Sequence, residues 1–154
     1  MRILVTGGAG FVGSNLCLAF KRDNPDARVI AADNLKRRGS ELNLPRLRAA
    51  GVQFEHADIR DPNDIAALGP MDLLIECSAE PSVQAGYGGT PAYLIDTNLR
   101  GTLNCLEAAR THDATFVFLS TSRVYPIDPL RALPLETENN RLVLPSGATG
   151  TGWS

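Results

Sequence analysis

In ILVTGGAGFVG, residues 3–13, an apolar run breaks into glycines at Gly7, Gly10 and Gly13, and an amphipathic pattern starts directly behind them. Gly7 permits a tight turn, Gly10 leaves room for backbone N–H groups to approach a diphosphate, and Gly13 lets the following helix pack closely on the strand. The helix N-terminus adds unpaired donors and a partial positive charge. No Lys and Ser/Thr pair follows the glycines, which argues against a triphosphate-binding P-loop. Taken alone, the three glycines also read as an ordinary glycine-rich turn. Asp33 separates the two readings. It stands roughly 20 positions beyond Gly13, just after the second apolar run, where a carboxylate accepts hydrogen bonds from adenosine ribose hydroxyls. The combination predicts a dinucleotide site. A carboxylate at that place repels a 2′-phosphate and favours NAD over NADP, whereas Lys36, Arg37 and Arg38 form either a basic loop able to neutralise a phosphate or a solvated surface run.

Outward from this turn the chain alternates. Apolar runs at 3–5, 29–32, 52–54, 73–75 and 116–119 read as strands, and the first, fourth and fifth are continuous, as in a parallel sheet covered on both faces. Val12, Leu16, Ala19 and Phe20 share one helical face, as do Ile95, Leu99, Leu103 and Leu106 in a longer helix beginning near Pro91. Shorter helices are expected over 41–50 and 62–68, the second with Asp61 as N-cap. Alternation at this spacing predicts an α/β, doubly wound Rossmann sheet of order 3-2-1-4-5, with its ligand outside the carboxyl ends of the strands where the order reverses. Residues 1–125 form the expected nucleotide-binding domain. From Pro126 the pattern breaks at Pro129, Pro134 and Pro145, and SGATGTGWS (146–154) has loop composition, so 126–154 is expected to be an irregular extension. The fold normally continues with a sixth strand, and the chain is read as an amino-terminal portion of something longer.

Composition bounds the partner. With 154 residues, 44% of them hydrophobic, the chain can bury one sizeable core, and a formal charge of −2 gives no drive toward nucleic acid or an anionic membrane. A small molecule is the expected partner. Cys17, Cys77 and Cys105 are odd in number, lack metal-ligand spacing and lie among apolar neighbours, as reduced core residues do. The amino terminus does not read as a signal peptide and no run is long enough to span a bilayer, so the cytoplasm is the expected compartment. Asp58, in HADIR, sits where a carboxylate could bond the adenine amino group, or serve as an N-cap or loop carboxylate.

TGGAGFVGS, DNL, HADIR, TNLRGT (97–102) and STSRVY (120–125) occur in the order and at separations that resemble the extended short-chain dehydrogenase/reductases, the NAD-dependent nucleotide-sugar epimerase and dehydratase family. Within it, DNLKRRGSELNL (33–44) and STSRVY most resemble the branch of 2-epimerases acting on CDP-linked sugars. The resemblance implies that Phe11 and Val12 lie beside the pyrophosphate, Asp33 and Asn34 on the ribose, and Asp58 and Ile59 around the adenine. It runs the turn of Cys77, Ser78, Ala79 and Glu80 along the cofactor and faces Glu80 and Ser82 toward nicotinamide and sugar. Many relatives have histidine where Glu76 stands and an uncharged residue near Glu80, so Glu80 either contacts sugar hydroxyls or caps the following helix. Asn98 matches the helix asparagine that organises the cofactor turn; without the resemblance it is a polar residue on a solvated face. Thr121 aligns with the catalytic Ser/Thr, with Ser122 beside it at the substrate, although Ser120, Thr121 and Ser122 are indistinguishable from the sequence alone.

The implied reaction removes a proton from a sugar hydroxyl while the adjacent carbon gives up hydride; return of the hydride to the other face of the ketone inverts the centre. The family's base is a tyrosine assisted by a lysine four residues later. Tyr87, Tyr93 and Tyr125 are followed at that distance by Pro91, Thr97 and Pro129, and the only lysines, Lys21 and Lys36, precede all three. A phenol of pKa near 10 needs such a charge to work near neutrality, so this chain is expected to be inactive alone. Two classes remain: part of an epimerase, with a 4,6-dehydratase as competitor, or a non-catalytic NAD-binding sensor or interaction module. A Tyr-x-x-x-Lys beyond Ser154 would support the enzyme and a stop there would sink it. Dehydratase relatives usually carry a carboxylate where Ser122 stands. Family members usually dimerise through helices that include residues 91–110.

Overall fold

The computed structural model describes residues 1–82, 84–121 and 127–145. Two units divide the chain, Met1–Leu119 and Ser120–Ser154. In the first, the strands β1 (Arg2–Thr6), β2 (Arg28–Asp33), β3 (Gln53–His56), β4 (Leu73–Glu76) and β5 (Thr115–Phe118) form one parallel sheet of order β3-β2-β1-β4-β5. The expected order stands. Side chains alternate across the strands and feed two cores. Ile3, Val5, Val29, Ala31 and Ile75 point to one face, packed with Cys17 of helix α1 (Phe11–Asp23) and Leu47 of α2 (Leu44–Ala49). Leu4, Ile30, Ala32 and Leu74 point to the other, packed with Ile65 of α3 (Pro62–Ala67) and Cys105 and Ala109 of α5 (Thr102–Thr111). Each fully buried Leu or Ile contributes about 1.5–3 kcal/mol of transfer free energy. Asp61 caps α3 as expected, its carboxylate accepting from the Asn63 N–H at 2.9 Å.

Several expectations need correction. The helix near Pro91 is broken into α4 (Ala92–Ile95), a π-helical stretch Asp96–Gly101, and α5. Its buried line is Thr97, Gly101, Cys105 and Ala109, while Ile95, Leu99, Leu103 and Leu106 face out at 47–58% exposure. Small residues win the inner face because the helix lies too close for larger ones: a Cβ on Gly101 would come within 2.4 Å of Ile59 Cδ1. In α1 the fully buried residues are Gly13, Ser14 and Cys17 and Val12 is exposed, while Leu16 and Phe20 of the expected face are partly buried against the core. β5 is not covered on both faces; Val117, Phe118 and Leu119 are exposed. The helix expected over 41–50 is a 3-10 turn, Ser40–Asn43, running into α2.

The second unit is not wholly irregular. It holds α6 (Ile127–Arg131) and a hairpin of β6 (Glu136–Glu138) with β7 (Arg141–Val143), turned by Asn139 and Asn140 at φ of 49° and 61°. Positive φ at both turn positions matches the twist of a two-residue hairpin, and asparagine tolerates it. Tyr125, Pro126 and residues 146–154 lie outside the described residues. No helix among the described residues is long and apolar enough to cross a membrane.

Candidate functional site

A cleft of about 580 Å³ opens beyond the carboxyl ends of the strands of the first unit. Its floor is the turn between β1 and α1. Gly7 has φ +62°, and a Cβ there would meet the Cys77 carbonyl at 2.8 Å; a Cβ on Gly13 would lie 2.2 Å from Gly7 O. These two glycines let the turn, the helix and the end of β4 close on one another. Gly10, the helix N-cap, has ordinary extended backbone and only Gly7 O within reach, at 3.1 Å, so its missing side chain leaves space in the cleft rather than relieving a clash. No acidic side chain occupies the first turn of α1 to compete for its N–H groups.

The sequence-derived residues converge on this cleft: Gly7, Gly10, Phe11, Val12 and Gly13 from the turn, Asp33 and Asn34 from the end of β2, Asp58 and Ile59 from the loop after β3, and Cys77, Ser78, Ala79, Glu80 and Ser82 from the turn after β4. Phe11 is 83% exposed and lines the cleft. Asp33 is fixed from two sides: Oδ2 accepts the Ala9 N–H at 3.1 Å and Oδ1 the Leu35 N–H at 2.8 Å. Each oxygen retains acceptor capacity for a hydroxyl pair.

Asn34 donates to Asp58 Oδ2 at 3.0 Å, and Arg60 donates through its backbone N and Nε to Asp58 Oδ1 at 3.0 and 2.9 Å. The Arg60 guanidinium holds the Asp58 carboxyl well below the usual carboxylate range, against the opposing effect of burial. Asp58 is therefore committed to Arg60 and Asn34, the loop-carboxylate geometry, while still lining the cleft. On the same side Lys36 Nζ lies 3.0 Å from the Tyr93 ring centroid and Arg60 5.0 Å from it.

Behind the turn after β4, Asn98 makes a two-point contact with Glu80, accepting its N–H at 2.7 Å and donating to its carbonyl at 3.2 Å. Asn98 is exposed, and its side chain is nonetheless engaged with this turn. Glu80 accepts the Ser82 N–H at 3.0 Å, tying its own turn instead of capping a helix. Cys17, Cys77 and Cys105 are free, their thiols pushed up to about 12 chiefly by burial.

Thr121 belongs to the second unit, and Ser122 lies outside the described residues. Sequence reasoning missed Lys36 and Arg37 as cleft residues in their own right, together with Tyr93 and Thr97. Thr97 Oγ1 is a buried hydroxyl without a hydrogen-bond partner among the described residues, on a side chain that lines the cleft. An orphaned hydroxyl here, beside a glycine cradle that side chains would fill, fits a polar ligand. Its one signal in the sequence is its place beside Asn98.

Residues 3–145 match the model of the NAD dependent epimerase/dehydratase family. CDP-paratose 2-epimerase of Salmonella typhi is 35% identical over 130 residues, covering 81% of this chain and 38% of that protein. A dTDP-glucose 4,6-dehydratase of Mycobacterium tuberculosis is 34% identical over 126 residues, covering 81% and 38%. Among solved structures, UDP-glucose-4-epimerase of Stenotrophomonas maltophila, with bound NAD and formylated UDP-arabinopyranose, superimposes with a TM-score of 0.70 at 30% identity, covering 81% of this chain and 38% of that one. The chain spans about two-fifths of the length of the curated relatives it matches.

Proposed function

The chain belongs to the NAD-dependent epimerase/dehydratase family, and from that we propose that its cleft holds NAD for the oxidation and re-reduction of a nucleotide-linked sugar. One observation carries the reading: the Asp33 carboxylate, oriented by the Ala9 and Leu35 amides, stands at the rim of a glycine cradle that no side chain fills. Gly10, Phe11 and Val12 would seat the diphosphate, Asp33 the adenosine ribose, and the turn from Ser78 to Glu80 the nicotinamide end. Bound NAD would supply a hydride acceptor and donor for a sugar carbon. The chain's own residues orient and enclose; the Asn98 contacts with Glu80 hold the turn that would face the sugar. Thr121 is the residue we assign to hydrogen-bonding the sugar's reacting oxygen, with Ser122 beside it.

We favour a CDP-sugar 2-epimerase over a 4,6-dehydratase. The support is the resemblance of 33–44 and 120–125 to that branch, the similarity to CDP-paratose 2-epimerase, and Ser122 in place of a carboxylate. None of the three tyrosines carries a lysine four positions on, so the 154 residues alone are expected to bind NAD without turnover. The exposed stripe of Ile95, Leu99, Leu103 and Leu106 suits a homodimer contact.

Calorimetry of the 154-residue chain should show NAD binding that weakens at least tenfold in Asp33→Ala, with NADP bound more weakly than NAD by the wild type. Unchanged NAD affinity in the variant would overturn the ribose assignment. NADP binding as tight as NAD would move the specificity to Lys36 and Arg37. For an enzyme that combines this cradle with a Tyr–Lys pair, inversion at sugar carbon 2 with the carbon-bound hydrogen retained supports the epimerase; a product lighter by one water supports the dehydratase.

A further inference from the structure

Glu76 closes β4 with its side chain 1% exposed, and the functions above give it no task. Around it lie Thr6 of β1, Phe118 opposite it on β5, Thr102 and Cys105 of α5, and Cys77 and Ser78 of its own turn. The titratable groups among these are the two thiols, Cys77 and Cys105, both neutral at ordinary pH. None of the ion pairs among the described residues reaches Glu76.

One amide and two hydroxyls face its oxygens. Oε1 accepts the Ser78 N–H at 2.7 Å and lies 3.4 Å from Thr6 Oγ1. Oε2 lies 3.4 Å from Thr102 Oγ1, which is also 3.1 Å from the Asn98 carbonyl oxygen. Thr102 has one hydroxyl proton and two oxygens facing it. If that proton goes to the nearer oxygen, that of Asn98, a hydrogen bond between Oε2 and Thr102 needs a proton on Glu76. A carboxylic acid satisfies both contacts; a carboxylate draws the Thr102 proton away from Asn98.

We propose that Glu76 is a positioning residue that works as a neutral acid: it holds Ser78 directly and, through Thr102 and Asn98, steadies Glu80, so that one buried carboxyl clamps both ends of the turn facing the nicotinamide end of the cleft. Burial, acting against the hydrogen bonds from Ser78, Thr102 and Thr6, raises its pKa from the ordinary glutamate value, in the direction this role requires. Asn98, in the π-helical stretch Asp96–Gly101, has its carbonyl beside Thr102 one turn on and its side-chain amide beside Glu80. The link to cofactor affinity rests on the NAD reading; the clamp does not.

The test uses the full 154-residue chain as wild type, Glu76→Gln, Glu76→Ala and Thr102→Val. Amide hydrogen exchange at Ser78 and Glu80 is measured from about pH 5.5 to 8.5 and corrected for intrinsic base catalysis, with NAD calorimetry over the same range. Glutamine presents the donor and acceptor of the neutral acid, so Glu76→Gln should keep both amides protected at every pH. Wild type should match it at the acid end, and as the carboxyl ionises with rising pH the loss of protection should fall on Glu80, with NAD affinity, while Ser78 keeps its acceptor. Glu76→Ala should lose at least tenfold protection at both amides, and Thr102→Val at Glu80 alone. If Glu76→Ala does not fold, the comparison of wild type with Glu76→Gln and Thr102→Val decides. A Glu76→Gln variant that loses protection at Glu80 where wild type keeps it would overturn the neutral-acid role, and a Thr102→Val variant with Glu80 still protected would break the relay. Protection behaving as stated while no variant binds NAD would refute the cofactor reading and leave the clamp standing.

Discussion

Gly13→Ala and Gly10→Ala differ from each other by three positions and should fail in opposite ways. At Gly13 the new methyl would sit 2.2 Å from Gly7 O, 2.8 Å from Gly7 C and 2.9 Å from Gly8 Cα, all backbone atoms that cannot rotate aside. Restoring van der Waals separation requires α1 or the turn to move by roughly 1 Å. Overpacking of a core ordinarily costs about 1–3 kcal/mol, and rigid neighbours place this case at the upper end or beyond. For a chain of this size about 3 kcal/mol corresponds to a fall in Tm of about 10 °C. At Gly10 the methyl meets only Gly7 O, at 3.1 Å, in an ordinary backbone conformation. The folded state should lose only about 0.5–1 kcal/mol, the difference between Gly and Ala at an N-cap. The methyl nevertheless enters the cleft where the diphosphate would approach the backbone, and NAD affinity should fall about tenfold or more, about 1.4 kcal/mol. Thermal melts and calorimetry on both variants separate the two roles. A Gly13→Ala protein melting within about 3 °C of wild type would refute the close-packing argument. Undiminished NAD affinity in Gly10→Ala would show that the diphosphate does not sit on this turn.

Asn98→Ala removes both contacts to Glu80 and should cost about 1–3 kcal/mol in denaturant unfolding, with weaker NAD binding; unchanged affinity would mean the turn orders itself. Leu74→Ala, at a fully buried site on a central strand, should cost about 2–5 kcal/mol by the same measurement. The depressed acidity of Asp58 gives a pH signature: its pairing with Arg60 stabilises the fold above the unfolded carboxyl's pKa of about 3.9 and fades as pH falls through the lower folded value. Arg60→Gln should therefore melt below wild type near neutral pH and converge with it in strong acid. Since the Arg60 side chain is 35% exposed the difference should be modest, and a gap that persists in acid would point to lost packing instead.

The parts of this molecule readable from sequence are those whose physics is local. Gly7 and Gly13 announce backbone contacts that no other residue permits, Asp61 followed by Pro62 announces a helix start, and the continuous apolar runs of β1 and β4 announce strands buried on two faces, as the run of β5 does not. Helix orientation was not readable in this way. Periodicity selects the largest apolar side chains, Ile95, Leu99, Leu103 and Leu106, whereas approach to the sheet selects the smallest, Thr97, Gly101, Cys105 and Ala109. The hairpin after α6 escaped because its turn is Asn139–Asn140 without a glycine between flanking strands that are mostly exposed. The site's rim was legible through Asp33 and the glycines. Its supports were not: Asn34 with Asp58, Asn98 with Glu80, and Thr102 with Glu76 are joined across 18 to 26 positions by the fold alone.

The seat of Gly101 on Ile59 also fixes how the helix is rolled about its own axis. Turning the outward leucines toward the sheet would need room for their side chains where even a methyl group has none. Their exposure thus follows from the close seat of the helix on the Ile59 side chain, and substitutions that tighten the core elsewhere would leave that apolar strip as it is. Solubility and thermal stability should consequently vary independently in this protein, the first answering to changes at Leu99 and Leu103 and the second to changes at Gly101 and Cys105.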